Sequence, residues 1–577
     1  MPAKRGNIPV VLENRGALTL RPNDHVATGG EGSVYRAKNT MIKLYTDPNK
    51  MKNDGMAEKI KLLTAINHKF IVAPAGLVTS NSGTPVGYYM PYAKGEPLPR
   101  VFTNDFRKRE NFTDQHASTL VDYMRQTVDF AHSQGAILVD ANEMNWLVAL
   151  SKKGQPEPRI IDVDSWQIGR WPGKVIMMSI RDWLTKGFNQ ESDWFAWGIV
   201  TFQVYTGIHP YKGKLTGYKP NDMEKRMKAK ASVFSPDVRL NRAVRDFSVI
   251  PGPLLDWYVA TFQDGERTKP PSPFDTGLAK SKVARVLHAI TTATGMLIYE
   301  KLLAEPNDPA IRVFPCGVTL LNSGKLIDLA KKRQIATAKT RNCEIIQAEN
   351  GWLKAEIIDQ QLEFTFINST SLKQEVLKLN LTGQQVFRAD NRLFVVTEKG
   401  LTEISLKFLG KPLLSVGKTW GVMTNSTRWF DGLGIQDTMG ATYMIAPFNE
   451  TACAEFRVPE LDGLKPIMAK AGHRYMVIIA LDKQGNYQKV ELTMARDYKT
   501  YQVWQEITDS PDLNQTILPK GVCASITQDG ELHIFVPSSS TQNKVNDKNI
   551  ATDMLLSNWD NKVIYLQNGE VWKVRMK

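Results

Sequence analysis

Three oxygen-bearing side chains, Asp140, Asn145 and Asp162, are spaced so that they can act together. Asp140 opens the run Asp-Ala-Asn-Glu-Met-Asn, and Asn145 closes it five positions on, a span suited to a short loop. An apolar strand follows (Trp146 to Leu150), then a polar insertion, then a second apolar run (Arg159 to Ile161) that delivers Asp162. Carboxylates and a carboxamide are hard oxygen donors of the kind that bind Mg²⁺. Brought together by a loop and two strands, they suit the holding of Mg²⁺-bound phosphates near an acceptor hydroxyl.

The elements upstream are of the kind needed to position a phosphate chain. Residues 27–37 read Ala-Thr-Gly-Gly-Glu-Gly-Ser-Val-Tyr-Arg-Ala. Gly29, Gly30 and Gly32 permit a tight strand-turn-strand whose backbone amides can approach phosphate oxygens. Val34 stands on the returning strand. Lys43 lies inside the apolar run Met41–Tyr45, and an ammonium buried there is costly unless paired. Its expected partner is Glu58, on a segment with apolar residues at 56, 60, 63 and 66, which is helical spacing. A strand ending at Met90 runs into an extended connector at Pro91–Ala93, where Pro91 removes one backbone donor. Residues 114–134 place Leu120, Met124, Val128 and Ala131 on one helical stripe leading to Asp140.

In order and spacing these features resemble the protein-kinase fold, with its glycine-rich loop, strand lysine, helix glutamate, Asp-x₄-Asn loop and apolar-apolar-Asp. The pattern GxGxxGxV is matched at Gly29, Gly32 and Val34, with Ala27 at the first glycine. The resemblance covers roughly residues 24–275. Asp-x-Asn-x-x-Asn with Asp-x-Asp-Ser-Trp-Gln looks like a bacterial, atypical branch of Ser/Thr kinase-like proteins. The resemblance implies that Gly29, Gly30, Gly32, Val34, Lys43, Met90 and Tyr92 bind ATP, that Asn145 and Asp162 hold Mg²⁺, and that Asp140 is the catalytic base, with Lys43 and Glu58 paired. Three positions depart from it. Leu138-Val139 replaces His-Arg, so no receptor for an activation-loop phosphate is expected. Asn142 replaces a lysine. Asp164 stands where Asp-Phe-Gly has glycine, as a further metal or water ligand or as a loop-stabilising carboxylate. Residues 191–211 resemble the central helix of the large lobe; it is apolar all round and hence expected to be buried. Asp193 is expected to cap that helix and brace the catalytic loop. The closing helix ends near Arg267, and no Ala-Pro-Glu precedes Asp193 to supply that arginine's usual partner.

A helical stretch is expected at about Leu278 to Leu303, followed by a boundary at Ala-Glu-Pro-Asn-Asp-Pro-Ala. Beyond it, apolar strands and polar turns recur at roughly 35–50 residues, the period of propeller blades. The expected fold class is therefore multidomain: an α+β bilobal kinase fold, then an all-β domain, a β-propeller of about six blades or a pair of β-sandwiches. The expected domains are 1–23 (N-terminal extension), 24–92 (small lobe), 93–303 (large lobe and C-terminal helices) and 304–577 (β domain). No catalytic spacing occurs in the last, so it is read as a docking module for a protein substrate or regulator.

Composition bounds the function. At 577 residues, 42% hydrophobic and 23% charged, the chain is long enough for several globular cores. No apolar run approaches the ~18 residues that span a bilayer, and no signal peptide is recognised. The four cysteines form no CxxC pair, which favours buried thiols and a cytoplasmic setting. Residues 1–300 hold 40 Lys and Arg against 29 acids, residues 301–577 hold 33 against 30. Much of the excess lies between Lys212 and Arg245 without aromatic interleaving, so a solvated face is expected rather than a nucleic-acid site. The expected activity is ATP- and Mg²⁺-dependent phosphorylation of protein Ser/Thr hydroxyls. The rival is a nucleotide-binding pseudokinase scaffold, and phosphorylation of a small molecule is a weaker third.

Overall fold

The computed structural model describes residues 6–47, 49–53, 55–151, 153–173, 176–289, 296–448, 452–539 and 542–577. Its N-terminal part opens on an antiparallel sheet of β1 (Ile8–Leu12), β2 (Gly16–Leu20), β3 (His25–Thr28), β4 (Gly32–Ala37), β5 (Thr40–Tyr45), β6 (Gly76–Thr79) and β7 (Pro85–Pro91). The spatial order is β2-β1-β6-β7-β5-β4-β3. Of the stretch 1–23, the described strands β1 and β2 belong to this sheet, β1 pairing with β6. Alternation explains why: Val10, Leu12 and Leu20 point inward and pack with Ile42, Val78 and Tyr89. Two short helices, α1 (Lys50–Asn53) and α2 (Met56–Leu63), connect β5 to β6, and α2 buries Met56, Lys59, Ile60 and Leu63.

The following region is helical: α3 (Pro99–Phe102), α4 (Asn104–Arg109), α5 (Asp114–Ser133) and α6 (Gln190–Thr206), with further helices at Met223–Lys228 and Gly252–Val259. As its all-round apolar sequence requires, α6 is buried from Ser192 to Thr206. Its cap is Asn189, whose side chain accepts from Ser192 N at 2.9 Å. The capping role expected of Asp193 is therefore filled elsewhere, and Asp193 is left free for another task.

The second half is all β. Among the described residues it forms seven four-stranded antiparallel sheets. Six are built from consecutive strands. The seventh joins Leu297–Leu303 to the last three strands of the chain, with Leu297 opposite Met576 and Tyr299 opposite Val574. This corrects two expectations. The helix expected at 278–303 is absent from its described residues, and 297–303 is a strand. Its leucines, lysine and glutamate tolerate a helix, but pairing with Glu570–Met576 decides the conformation. Gaining that strand, the β region begins before residue 304 and counts seven units rather than about six. An edge strand of each sheet contributes to a single cavity of about 2630 Å³, through Arg312, Glu344, Arg388, Arg428, Lys470, Gln515 and, in the seventh sheet, Ser557 of Leu555–Trp559. Arg100, Asp105 and Arg109 of α3 and α4 line the same cavity.

The two halves share buried contacts. His25 Nδ1 lies 2.9 Å from Ser426 Oγ, and the Tyr487 hydroxyl donates to Gln203 Oε1 at 3.3 Å. No described helix is long and apolar enough to cross a membrane.

Candidate active site

Lys43 occupies the middle of the sheet, opposite Val34 on β4 and Tyr88 on β7. Strand alternation puts Tyr45, two residues on, on the same face. The lysine is buried and reaches out of the sheet to two carboxylates. Its Nζ lies 2.7 Å from Asp162 Oδ1, and 2.9 and 2.8 Å from the two oxygens of Asp164. Burial alone would pull the ammonium down, but the carboxylates of Asp164 and Asp162 overcome it and hold the lysine charged.

The expected Lys43–Glu58 pair is not formed. Glu58 is exposed, and the buried face of α2 presents its neighbour Lys59, whose Nζ donates to the Asp164 carbonyl at 2.7 Å. Helical spacing carried this signal: Lys59 stands three residues after Met56 and four before Leu63, on the apolar face, and Glu58 does not. Asp164 is 1% exposed and receives two further donors, Tyr45 Oη at 2.6 Å and Tyr88 Oη at 2.7 Å. Burial raises the pKa of Asp164, yet Lys43 and the phenols reverse this and hold it well below the usual carboxylate range. Both phenols are pushed up by burial and by Asp164, so they remain protonated donors.

Asp162 differs in kind. Its side chain is 40% exposed, and its backbone has φ +61°, an uncommon conformation for a residue other than glycine. Burial and the Asp164 carboxylate push its pKa up, an electrostatic burden that a cation would relieve. Asn145 and Asp162 leave the same end of one hairpin, since Trp146 pairs with Ile160 and Ile161 N donates to Asn145 O at 2.9 Å. The Asn145 amide donates to the Asp140 carbonyl at 2.8 Å, which leaves the side-chain oxygen as the atom that could face a cation. This donor set fits Mg²⁺, which binds through one or two protein oxygens and keeps water and phosphate for the rest. No described cluster of three or more His, Cys, Asp or Glu offers a closed metal cage.

The Asp140 loop is braced from several sides. Leu138 N and Val139 N donate to the carboxylate of Asp193 at 2.7 and 2.9 Å, and His132 Nε2 joins it at 2.9 Å. Val139 has φ +64°, a strained conformation for a β-branched residue that persists only where the surroundings impose it. Asn142, in the place of the missing lysine, is itself a brace. Its amide donates to Asp140 Oδ1 at 3.0 Å and its oxygen accepts from Met144 N at 2.8 Å. Met177 N also donates to Asp140 Oδ1, at 2.9 Å. Burial raises the pKa of Asp140, opposed by these donors and by Lys465 of the β region. Beside it Glu143 is 1% exposed and burial pushes it up to about 7. Arg267, whose usual partner was missing from the sequence motifs, pairs with both oxygens of Asp182, at 2.6 and 2.9 Å.

The glycine-rich turn lies at the end of β3 and β4, with Gly29 and Gly30 exposed and Gly29 N donating to Gly32 O at 2.9 Å. At Gly32 a Cβ would meet Leu44 O at 2.4 Å, so only glycine allows the two strands this approach. Val34 is half-buried opposite Lys43, and Met90 is half-buried opposite Met41. Tyr92 does not join them. Its amide donates to Asn39 O at 3.0 Å, its ring carries the Arg36 guanidinium at 3.8 Å, and it lines the cavity shared with the β region. Asn39 and Met41 line that cavity beside it.

The β region lies against the Asp140 loop. Met144 and Met177 pack on a cluster containing Ile467, Met468, Tyr475 and Tyr487. At Gly485 a Cβ would sit 2.0 Å from Ser179 Oγ. Sequence spacing brought Lys43, Asp140, Asn145 and Asp162 into view; it missed Tyr45, Tyr88 and Lys59, and the brace that Asn142 supplies. Period-two alternation around Lys43 is the signal that could have found Tyr45. Set against family models and curated proteins, the chain matches none.

Proposed function

We propose that the chain transfers the γ-phosphoryl group of ATP, with Mg²⁺, to Ser or Thr hydroxyls of a protein, through a bilobal kinase-like fold joined to a seven-bladed β-propeller. The observation that carries this reading is the meeting of Lys43 with Asp162, 119 residues away, at the hairpin end that also delivers Asn145. Lys43 and the Gly29–Gly32 turn would hold the phosphates, Asn145 and Asp162 the metal, and Asp140 the acceptor hydroxyl. Bound Mg²⁺ would neutralise charge developing on the transferred group. The propeller reading is supported by seven described sheets that each turn one edge strand to a shared cavity, and by Leu297–Leu303 pairing with the end of the chain. On this reading the β region recruits the substrate or regulator.

A second reading, a nucleotide-binding scaffold without transfer, has its own support. Asp140 Oδ1 already accepts from Asn142 and Met177, and the β region packs on the loop that would receive an acceptor. Radiolabelled ATP transfer by the full chain, compared with Asp140→Ala and Asp162→Ala, separates the two. Transfer lost in both variants supports the kinase; equal incorporation in all three removes it. Thermal stabilisation by Mg-ATP without any incorporation supports the scaffold.

A further inference from the structure

We propose that Asp164, rather than a helix glutamate, is the positioning residue that holds Lys43 in the site, with Tyr45, Tyr88 and Lys59 holding Asp164 in turn. The inference rests on the phosphoryl-transfer reading only for the use made of Lys43; the anchoring stands on geometry. An ionised carboxylate offers about four lone-pair sites. Those of Asp164 are engaged by Lys43 on both oxygens, by Tyr45 on Oδ2 and by Tyr88 on Oδ1. No lone pair remains for a metal, so of the roles open to Asp164 on sequence grounds, ligation is ruled out. A buried ion pair is tolerated when such hydrogen bonds complete it and is strongly destabilised when one partner is removed. Asp162 instead shares one oxygen with Lys43 and faces solvent, so it can exchange the lysine for a cation while Asp164 keeps its hold.

The arrangement also moves the link to α2. Lys59 donates to the Asp164 carbonyl at 2.7 Å, so the helix is tied to the loop through a backbone oxygen instead of through a carboxylate on Lys43. Displacing α2 would pull on Asp164 and only through it on Lys43.

The test is the rate at which an amine-acylating reagent labels Lys43 in the full chain, read by peptide mass spectrometry, without nucleotide. Three contacts with carboxylate oxygens hold the Lys43 ammonium, and two of them belong to Asp164. Asp164→Asn should therefore raise Lys43 labelling about tenfold or more, while Glu58→Gln leaves it unchanged. Lys354, buried beside Glu356 in the β region, should stay protected in both, which separates a local effect from unfolding. If Asp164→Asn does not fold, the double variant Tyr45→Phe, Tyr88→Phe retains the charge and should raise labelling to a lesser degree. Glu58→Gln raising the labelling, or Lys43 unmoved in both the Asp164 and the tyrosine variants, would overturn the proposal. Because no nucleotide is used, failure of the phosphoryl-transfer reading would show separately, as absence of radiolabel transfer by the unaltered chain.

Discussion

Replacing Asp193 should loosen the Asp140 loop more than any change at a solvent-facing acid. The carboxylate is 2% exposed and accepts from three donors, Leu138 N, Val139 N and His132 Nε2. Asp193→Ala leaves all three without their partner, at roughly 1–3 kcal/mol for each buried group left unsatisfied. The Val139 backbone, held at φ +64°, stores a further ~1–3 kcal/mol that the loop can then release by moving. Relaxation and entering water offset part of this, so a net cost of about 3–5 kcal/mol is expected. Asp193→Asn keeps one oxygen but turns an amide N–H toward the remaining donors, and should cost about half as much. Native-state hydrogen exchange at Leu138 and Val139 is the assay, since it reads the loop without assuming that two domains unfold together. About 3 kcal/mol corresponds to exchange faster by about a hundredfold. Exchange within threefold of the unaltered protein in Asp193→Ala would refute the reasoning and show that the loop holds itself.

Two further outcomes follow from the same geometry. Burial raises Glu143 from an ordinary 4.5 to about 7, so between those values the folded chain binds more protons than the unfolded one. Stability should therefore fall as pH rises from about 4.5 to 7, by about 3 kcal/mol in all, and Glu143→Gln should flatten that part of a denaturation profile. A profile unchanged by the substitution would show that the carboxyl is better solvated than its surroundings imply. Gly485, at φ +85°, lies so close to Ser179 that a Cβ would meet its oxygen at 2.0 Å. Gly485→Ala should lift the 482–486 turn from the 177–180 segment and raise hydrogen exchange in both. Protection unchanged on either side would mean that this contact is absent in solution.

The residues with an obligatory chemistry were legible from the chain alone. A lysine inside an apolar strand demands a counter-charge, an apolar helix demands burial, and Asp140, Asn145 and Asp162 flank strands that can only pair as a hairpin. The alternation in Ile8–Leu20 marked strands there, though not the sheet they join. What spacing could not decide was which of several available acids answers Lys43. The stripe at 56, 60 and 63 does turn Lys59 inward and Glu58 outward, at about 100° per residue, but it does not say which acid then meets Lys43. Asp164 is chosen because its turn brings it under Tyr45 and Tyr88, two phenols set side by side by pairing between strands more than forty residues apart in sequence. In the same way Leu297–Leu303 becomes a strand because Glu570–Met576 offers its backbone hydrogen-bond partners. Local sequence determines which groups must find partners, through the cost of burying them unpaired; the tertiary structure decides which partner is reached, because that depends on distances no local pattern encodes.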